Sequence, residues 1–467
     1  MTIFESRARW AAMSCAIISG ALLAYGCGVT DKLLEPQNPG LIDPSAVASP
    51  DAAEALRVGA LGVFRKLVSG CPGQECLWQE SGTLADEYKN ADFQNTRQDI
   101  DQRTITSNNP TLDYWAITQI RGYVRDGIGA MQTYLPERTA QIGELYMALG
   151  FVEMSLAENY CNGIPLGSTT NGEVTLGPPL SNAQVYDSAS AHLDVALQTI
   201  SGDDDESVFM RRAALITKAR ILVDQGRYDE AAALVSQSAV PSNYQYVWTT
   251  DPADNGDDLG IWTLNNSVAR ITVSDSFDII NGSPNVTENA LPFASANDPR
   301  VPVASGADVD PPVAPEDGTT LQFVQLLWGR DDPIPVVSGI DARLIEAEAK
   351  LNTPDIPGMM SILNELRANP PAIGKYQPAA MPALDTPDNQ AAATSLFFRE
   401  KAFWTFGRGQ RLSDLRRLIR QYGRPQEAVF PIGEYVKGGM YGTDVNFPVG
   451  DDELANPLFK GCTDRSA

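Results

Sequence analysis

The sequence predicts a mainly α-helical fold: a tetratricopeptide-like α-α superhelix of about four helix pairs, with a large irregular, loop-rich insertion. Apolar residues recur at helical spacing through much of residues 52–235 and 341–423. Residues 213–235 combine small alanines, a Gly-x-Tyr turn and a second alanine-rich helix, which is typical of a tetratricopeptide unit. Residues 241–335 are instead rich in Asn, Asp, Pro and Gly with few apolar stripes, which indicates an insertion between helical pairs.

The N-terminus has the features of a secretory signal. Two arginines precede a mostly apolar run, residues 10–25, that ends at a Gly-Cys pair. The box around Cys27 is similar to a bacterial lipoprotein cleavage site, so we predict a lipoprotein signal peptide over 1–26, a lipid anchor on Cys27 and a polar surface tether over 27–50. The alternative is an ordinary signal peptide with an incidental cysteine. A spanning helix is disfavoured because the run is short for a bilayer.

Cysteine usage fits an exported protein. Beyond the signal and the anchor, the chain contains Cys71, Cys76, Cys161 and Cys462, an even set in an oxidising compartment. Cys71 and Cys76 are close enough to close a small loop, and a Cys161–Cys462 disulfide would then tie the helical body to the C-terminal tail. A zinc site is the disfavoured alternative because the spacings are not paired as such sites require.

The first half of the chain is predicted to form successive helices joined by short turns. In the hairpin made by residues 114–134 and 137–160, we expect Trp115, Leu145, Tyr146 and Phe151 to lie in the core. The predicted helices of this half are 52–68, 114–134, 137–160, 183–200, 209–225 and 228–235.

A long polar segment, residues 79–110, carries aromatic rings among amides and carboxylates. A flat ring packs on the C–H face of a sugar, and amide side chains bond its hydroxyl groups. We therefore expect a carbohydrate site here. The alternative for any single ring is that it anchors the loop to the body. The candidate ligand-binding residues are Trp78, Tyr88, Phe93 and Asn95.

The insertion supplies a second set of candidates, since loops over a rigid scaffold commonly carry binding residues. These are Trp248, Trp262, Asn265 and Trp328. Two acidic runs, residues 203–206 and 251–258, lack the alternation and closing glutamate of the common calcium loop, so solvated loops are expected there.

The C-terminal part predicts two further helix pairs. Residues 341–351 and 358–368 make the first, and residues 393–423 make an αα-hairpin. Gly407 and Gly409 can end the first helix of that hairpin in the left-handed conformation. Each hairpin has an apolar stripe that it cannot bury by itself, which predicts stacking of the pairs.

Three segments of this part resemble the C-terminal signature of the SusD/RagB-like outer-membrane nutrient-uptake lipoproteins: RLIEAEAKL at 343–351, ILNELRA at 362–368 and FFREKAFWTFGRGQRLSDLRRL at 397–418. Arg408 departs from the pattern, because the family usually has glutamate before the second glycine. The resemblance extends from Cys27 to Cys462. The matching positions are Glu346, Glu348, Asn364, Glu365, Arg367, Arg399, Glu400, Gly409, Arg411, Asp414, Leu415, Arg416 and Arg417.

The resemblance implies a lipid-anchored protein on the outer-membrane surface. Such proteins bind an oligosaccharide, or sometimes a peptide, and act as a hinged lid on a SusC-like TonB-dependent transporter. In this family the irregular half carries the ligand-facing loops. No cofactor is implied.

Composition and motifs disfavour other classes. The net charge of −24 repels nucleic acid and anionic lipid headgroups. His192 is the only histidine, and no nucleophile elbow, phosphate-binding loop or dinucleotide fingerprint is present, so neither an enzyme nor a metal protein is expected. Three alternatives stay open: a stand-alone surface glycan-binding protein, an all-helical glycoside hydrolase with two facing carboxyls in an aromatic cleft, and a peptide-binding scaffold with an open groove.

Overall fold

The computed structural model describes residues 49–68, 76–111, 114–170, 173–251, 253, 258–280 and 282–467. The predicted signal peptide, the Cys27 anchor, almost all of the tether and the predicted Cys71–Cys76 pairing lie outside these residues. Among the helices of the described part, none combines the length and apolar character needed to cross a bilayer.

The helical first half is built on α6, which packs against α5, α7 and α8. Close packing requires a small residue at the α6–α7 contact: a Cβ added to Gly150 would lie 1.9 Å from Leu193 Cδ2. The helices of this half are α1 (Pro50–Val63), α2 (Arg65–Val68), α3 (Leu77–Ala85), α4 (Asn95–Asp101), α5 (Tyr114–Tyr134), α6 (Thr139–Asn159), α7 (Asn182–Thr199), α8 (Asp205–Asp224) and α9 (Tyr228–Leu234).

The expected core of the second hairpin is partly confirmed. Leu145 and Phe151 are fully buried, and Tyr146 is half-buried. The prediction for Trp115 is wrong, because this side chain is 56% exposed. The buried face of α5 is formed instead by residues on the opposite side of the helix, such as Ile117 and Ile120.

The strands of the described residues form short two-stranded antiparallel pairs. A π-helix, Trp262–Ser267, packs between β7 and β11. The strands are β1 (Tyr88–Asn90), β2 (Ile164–Pro165), β3 (Ser168–Thr170), β4 (Glu173–Thr175), β5 (Pro179–Leu180), β6 (Gln245–Trp248), β7 (Ile271–Val273), β8 (Phe277–Ile280), β9 (Ser283–Val286), β10 (Val303–Ser305), β11 (Phe323–Gln325) and β12 (Ile334–Ser338). The pairs are β1–β7, β2–β5, β3–β4, β6–β12, β8–β9 and β10–β11.

The C-terminal helices are α10 (Gly339–Asn352), α11 (Ile356–Ala368), α12 (Gln390–Trp404) and α13 (Arg411–Arg420). The turn between α12 and α13 requires glycine: φ is +69° at Gly407 and +67° at Gly409. The structure therefore confirms a mainly α-helical, tetratricopeptide-like fold with an irregular part between the helical segments.

The predicted Cys161–Cys462 disulfide is present, with the two Cα atoms 5.9 Å apart. Around it, the chain forms isolated bridges between Tyr160 and Phe447 and between Asn162 and Asp464. The disulfide therefore attaches the C-terminal tail to the end of α6.

Buried ion pairs connect the C-terminal helices to the rest of the chain. Arg411 Nε lies 2.6 Å from Asp86 Oδ1, and Arg300 Nη1 lies 2.7 Å from Glu400 Oε2. Arg408, which departs from the family pattern, is also buried and lies 2.6 Å from Asp341 Oδ2. The arginine at this position therefore finds its own carboxylate partner.

Glu87, next to this network, is a buried carboxyl whose Oε1 accepts a hydrogen bond from the Gly407 backbone N–H at 2.9 Å. Burial raises the pKa of Glu87 to about 8 despite that hydrogen bond. Because the unfolded carboxyl has a pKa of about 4.3, the folded state holds the extra proton between these values. Stability contributed by Glu87 is therefore present at acidic pH and is lost as the pH rises towards 8.

Glu87→Gln removes this titration and keeps an oxygen that accepts from Gly407. We expect the free energy of unfolding to fall less steeply between pH 5 and pH 8 in the variant than in the wild type, as measured by urea unfolding. Asp101 and Glu158, whose pKa values burial raises to about 6 and about 8, titrate in both proteins, so the difference isolates Glu87. Parallel profiles would contradict the assignment.

Candidate functional site

The most exposed of the predicted rings is Phe93, whose side chain is 70% exposed. It lies in the turn between β1 and α4, residues 91–94, which we call the Phe93 loop. Gln94 and Asn95 beside it are also exposed. The loop therefore presents an aromatic face next to two amide groups.

The Phe93 loop is held from within by Asp92, whose side chain is fully buried. Asp92 Oδ1 accepts from the Gln94 backbone N–H at 2.8 Å, and its other oxygen pairs with Arg97. The Asn90 side chain closes a second local ring by accepting from Asp92 N at 3.1 Å and donating to Asp92 O at 3.2 Å. The backbone on both sides of Phe93 is thus fixed by buried polar groups.

Three distant segments hold the same loop from outside. Asp317 N donates to Ala91 O at 3.0 Å, and Ala91 N donates to Arg270 O at 2.8 Å. Lys437 donates to Asp92 O and also lies 2.8 Å from Asp317 Oδ2. The support of the loop therefore comes from three regions of the chain.

Below the loop, Asp101 caps the end of β1. Its Oδ2 accepts from Asn90 N and from the Tyr435 hydroxyl, each at 2.8 Å. Burial raises the pKa of Asp101 to about 6, and these two hydrogen bonds oppose the shift. Above about pH 6 this carboxylate is ionised and holds both donors.

The surface around the loop offers further contact groups. Gln102 Nε2 donates to Met440 O at 3.0 Å, which fixes a turn whose Met440 side chain is 62% exposed. Arg270 and Glu316 form an ion pair of 3.0 Å on the segment that supports Ala91. An exposed ring, a thioether and several amides suit a ligand with both C–H faces and hydroxyl groups.

Four of the predicted ligand-binding residues are buried, which corrects their assignment. Trp78, Tyr88 and Trp328 are 1–3% exposed and pack on the turn of α12 and α13. Asn265 is fully buried, where its Nδ2 donates to Ile271 O at 3.0 Å and to Phe323 O at 2.9 Å. These side chains anchor the fold, and none of them reaches a ligand at the surface.

The remaining two tryptophans are half-buried. Trp262 begins the π-helix that packs on β7, and β7 pairs with β1 next to the Phe93 loop. Trp248 lies on β6, in the separate sheet that β6 forms with β12. Phe93 and Asn95 thus lie close together, Trp262 is connected to the loop only through β7 and β1, and Trp248 lies in a separate sheet.

The sequence did not indicate the residues that support the loop from a distance, Asp317, Tyr435 and Lys437. They lie more than 200 positions away, and no local pattern marks them.

Asp92 and His192, two side chains of types that enzymes use in catalysis, both have structural partners. Asp92 is buried and paired with Arg97, so its carboxyl is a structural group. His192 Nδ1 lies 3.0 Å from Glu153 Oε2, on the helical half. The described residues contain no group of three or more His, Cys, Asp or Glu that would hold a metal ion.

Solved structures resemble this chain, although comparisons of its sequence find no match. No family model matches the chain, and no curated protein matches it. A SusD-like protein from Bacteroides fragilis is 14% identical, with a TM-score of 0.62, over 90% of this chain and 98% of that one. A putative sugar-binding protein from Bacteroides vulgatus is 15% identical, with a TM-score of 0.61, over 89% of this chain and 99% of that one.

A third structure, a SusD-like carbohydrate-binding protein from Bacteroides fragilis, is 13% identical with a TM-score of 0.61, over 89% of this chain and 99% of that one. At identities this low, the structural similarity shows the fold alone. It agrees with the resemblance of the C-terminal helices to the SusD/RagB-like proteins. This chain has the SusD-like fold.

Proposed function

We propose that this protein is a cell-surface lipoprotein that binds a glycan at the Phe93 loop and acts as a lid on a SusC-like TonB-dependent outer-membrane transporter. The SusD-like fold supports the proposal, as do structural neighbours described as sugar-binding or carbohydrate-binding proteins. The lipoprotein-like box at Cys27 supports the membrane anchor.

The binding role rests mainly on one observation: the Phe93 ring is exposed, while the backbone on both sides of it is fixed by buried polar groups. A single exposed apolar side chain is ordinary on a protein surface. Here, however, the ring stands on a backbone fixed by contacts of buried Asp92 and Asp101 and of half-buried Lys437. Such preorganisation reduces the conformational entropy that the loop would lose when a ligand binds. A fixed backbone under an exposed ring therefore favours a binding role.

The surface chemistry favours a glycan over a peptide. The exposed groups are the Phe93 ring and the Gln94 amide on the loop and the Asn95 amide beside it, all uncharged, and the nearby Arg270 and Glu316 charges neutralise each other. Sugar hydroxyls both donate to and accept from amides, whereas a charged peptide would find no free counter-charge on the loop.

The lid role rests on the resemblance of the C-terminal helices to the SusD/RagB-like proteins and on the SusD-like fold. Binding that favours a closed arrangement of lid and transporter shifts the equilibrium by the differential affinity of the ligand for that arrangement, and the transporter performs the energised step. The structural neighbours described as sugar-binding or carbohydrate-binding proteins support a role in binding without catalysis.

The experiment is a glycan and peptide binding screen on the full-length lipidated protein in mild detergent, followed by titration of the best ligand. Phe93→Ala should weaken binding about fivefold, because a stacking ring contributes about 1 kcal/mol. The fold should be unaffected, since the ring is 70% exposed.

The matched control is Val286→Ala, which truncates a 68% exposed apolar side chain on β9 and should leave affinity unchanged. Equal affinity of wild type and Phe93→Ala for every ligand found would contradict the site. Release of new reducing ends from a bound glycan would contradict the non-catalytic role and support the hydrolase alternative.

A further inference from the structure

A cleft lies on the helical half of the chain, and none of the residues of the Phe93 loop lines it. It has a volume of about 380 Å³ and lies between the first half of α5, residues 165–168 and 175–177, and the segment containing Glu453 and Asn456. We call it the Trp115 cleft. Its volume falls within the range of about 300–1,000 Å³ found for small-molecule sites.

One face of α5 forms the floor of this cleft. Trp115, Thr118, Gly122 and Asp126 follow one another at helical spacing and all line it. Trp115 is 56% exposed at the edge, and Leu176, 45% exposed, lies on the opposite wall. Gly122 leaves the floor open, because a Cβ added there would meet no atom within 4 Å.

A hydrogen-bond donor is fixed in the wall of the cleft. Arg121 Nη2 lies 2.9 Å from the buried Glu153 Oε1, and its Nη1 donates to Gly167 O at 3.0 Å. Glu153 itself also contacts Ser188 and His192, so the pair is part of a larger network. The Arg121 guanidinium is thereby neutralised and held in one orientation.

Other charged groups in the cleft lack ion-pair partners. Within the described part of the chain, Arg125 forms no ion pair. Burial lowers the pKa of its guanidinium. Asp126 and Glu453 likewise pair with no cation there, and burial raises the pKa of each. The cleft thus offers a donor cation and two acceptor carboxyls that the protein itself does not pair.

This combination restricts the ligand. An anion would meet the carboxyls of Asp126 and Glu453, and a cation would meet the guanidinium of Arg125. A purely apolar molecule would bury all three groups without partners. A neutral sugar has hydroxyls that accept from guanidinium and donate to carboxylate, and it has a C–H face for the Trp115 ring.

We propose that the Trp115 cleft is a second saccharide-binding site, specific for neutral sugars and independent of the Phe93 loop. It goes beyond the proposed function, because it requires neither the loop nor a transporter. Two sites on one chain would hold a long glycan at two points and raise its apparent affinity without new contacts at either site.

The test uses three variants of the full-length protein, each made in the wild-type and in the Phe93→Ala background. Gly122→Leu places a side chain in the cleft, and Trp115→Ala removes its ring. Gly129→Leu is the control, because Gly129 lies on the same helix, is exposed, has no atom within 4 Å of an added Cβ and does not line the cleft. Both leucine variants should fold at least as well as the parent, since leucine is the better helix former.

Binding is measured on an array of neutral and acidic glycans, followed by calorimetric titration of those that bind. We expect at least one neutral glycan to bind the Phe93→Ala protein, and to lose about tenfold or more in affinity with Gly122→Leu and with Trp115→Ala but not with Gly129→Leu. Such a result stands even if the Phe93 loop itself binds nothing, so the two sites can fail separately.

Three outcomes would overturn the proposal. The first is that no neutral glycan binds the Phe93→Ala protein. The second is that the cleft variants leave binding of neutral glycans unchanged, or that only acidic glycans respond. The third is that Gly122→Leu alters the recovery of a co-purifying protein but no glycan affinity, which would identify the cleft as a protein contact.

Discussion

Gly409→Ala is expected to lower the free energy of unfolding by about 3 kcal/mol or more, the sum of a left-handed backbone penalty and overpacking. Gly409 has φ +67°, and an added Cβ would lie 2.1 Å from Cδ1 of Trp78. Trp78 is 3% exposed, so its ring has no space into which to move. Urea unfolding followed by circular dichroism measures the loss.

Gly423→Ala is the matched control for this substitution. Gly423 has φ +64°, but no atom lies within 4 Å of its added Cβ. It should therefore lose only the backbone penalty of about 1–2 kcal/mol. Equal losses at the two positions would show that the contact of Trp78 with the turn contributes nothing.

Asp86→Ala is expected to destabilise the protein by about 3–5 kcal/mol, because it leaves a buried guanidinium without its partner. Arg411 Nε and Nη2 donate to the two Asp86 oxygens at 2.6 and 2.9 Å, and both side chains are at most 5% exposed. Asp86 also accepts from the Leu291 backbone N–H at 3.0 Å. Chemical unfolding again provides the measurement.

Two comparisons separate the buried pair from charge removal in general. Glu230→Ala breaks the Arg227–Glu230 pair, whose side chains are 48% and 60% exposed, and should leave stability nearly unchanged, because solvent screens an exposed pair. Combining Asp86→Leu with Arg411→Met replaces the pair with apolar groups and should recover much of the loss. A double variant no more stable than Asp86→Ala would contradict this account of the pair.

Local sequence patterns were sufficient to predict most of the helices. The helical stripes and the glycines that end α12 depend on residue type and spacing, which the sequence displays directly, whereas the pairing of Cys161 with Cys462 was predicted only as the pair left by Cys71 and Cys76. Trp115 shows the limit of such patterns. Its neighbours Tyr114 and Ala116 are both buried, so only the exact orientation of α5 places it outside.

The site was only partly predictable, because a ring among polar residues has two explanations that look the same in a sequence. Tyr88 and Phe93 are five positions apart, yet one packs on Gly407 and the other faces solvent. The difference is set by a turn more than 300 residues away. The same holds for Lys437, whose contact with Asp92 has no local signal.

An affinity purification tests most directly whether the protein acts as a lid on a transporter. The lipidated protein would be recovered from gently solubilised outer membrane, and the co-purifying proteins identified by mass. We predict a large TonB-dependent β-barrel in near-equal amount. Recovery of the protein alone from mild detergent would contradict the lid role and leave a stand-alone glycan-binding protein.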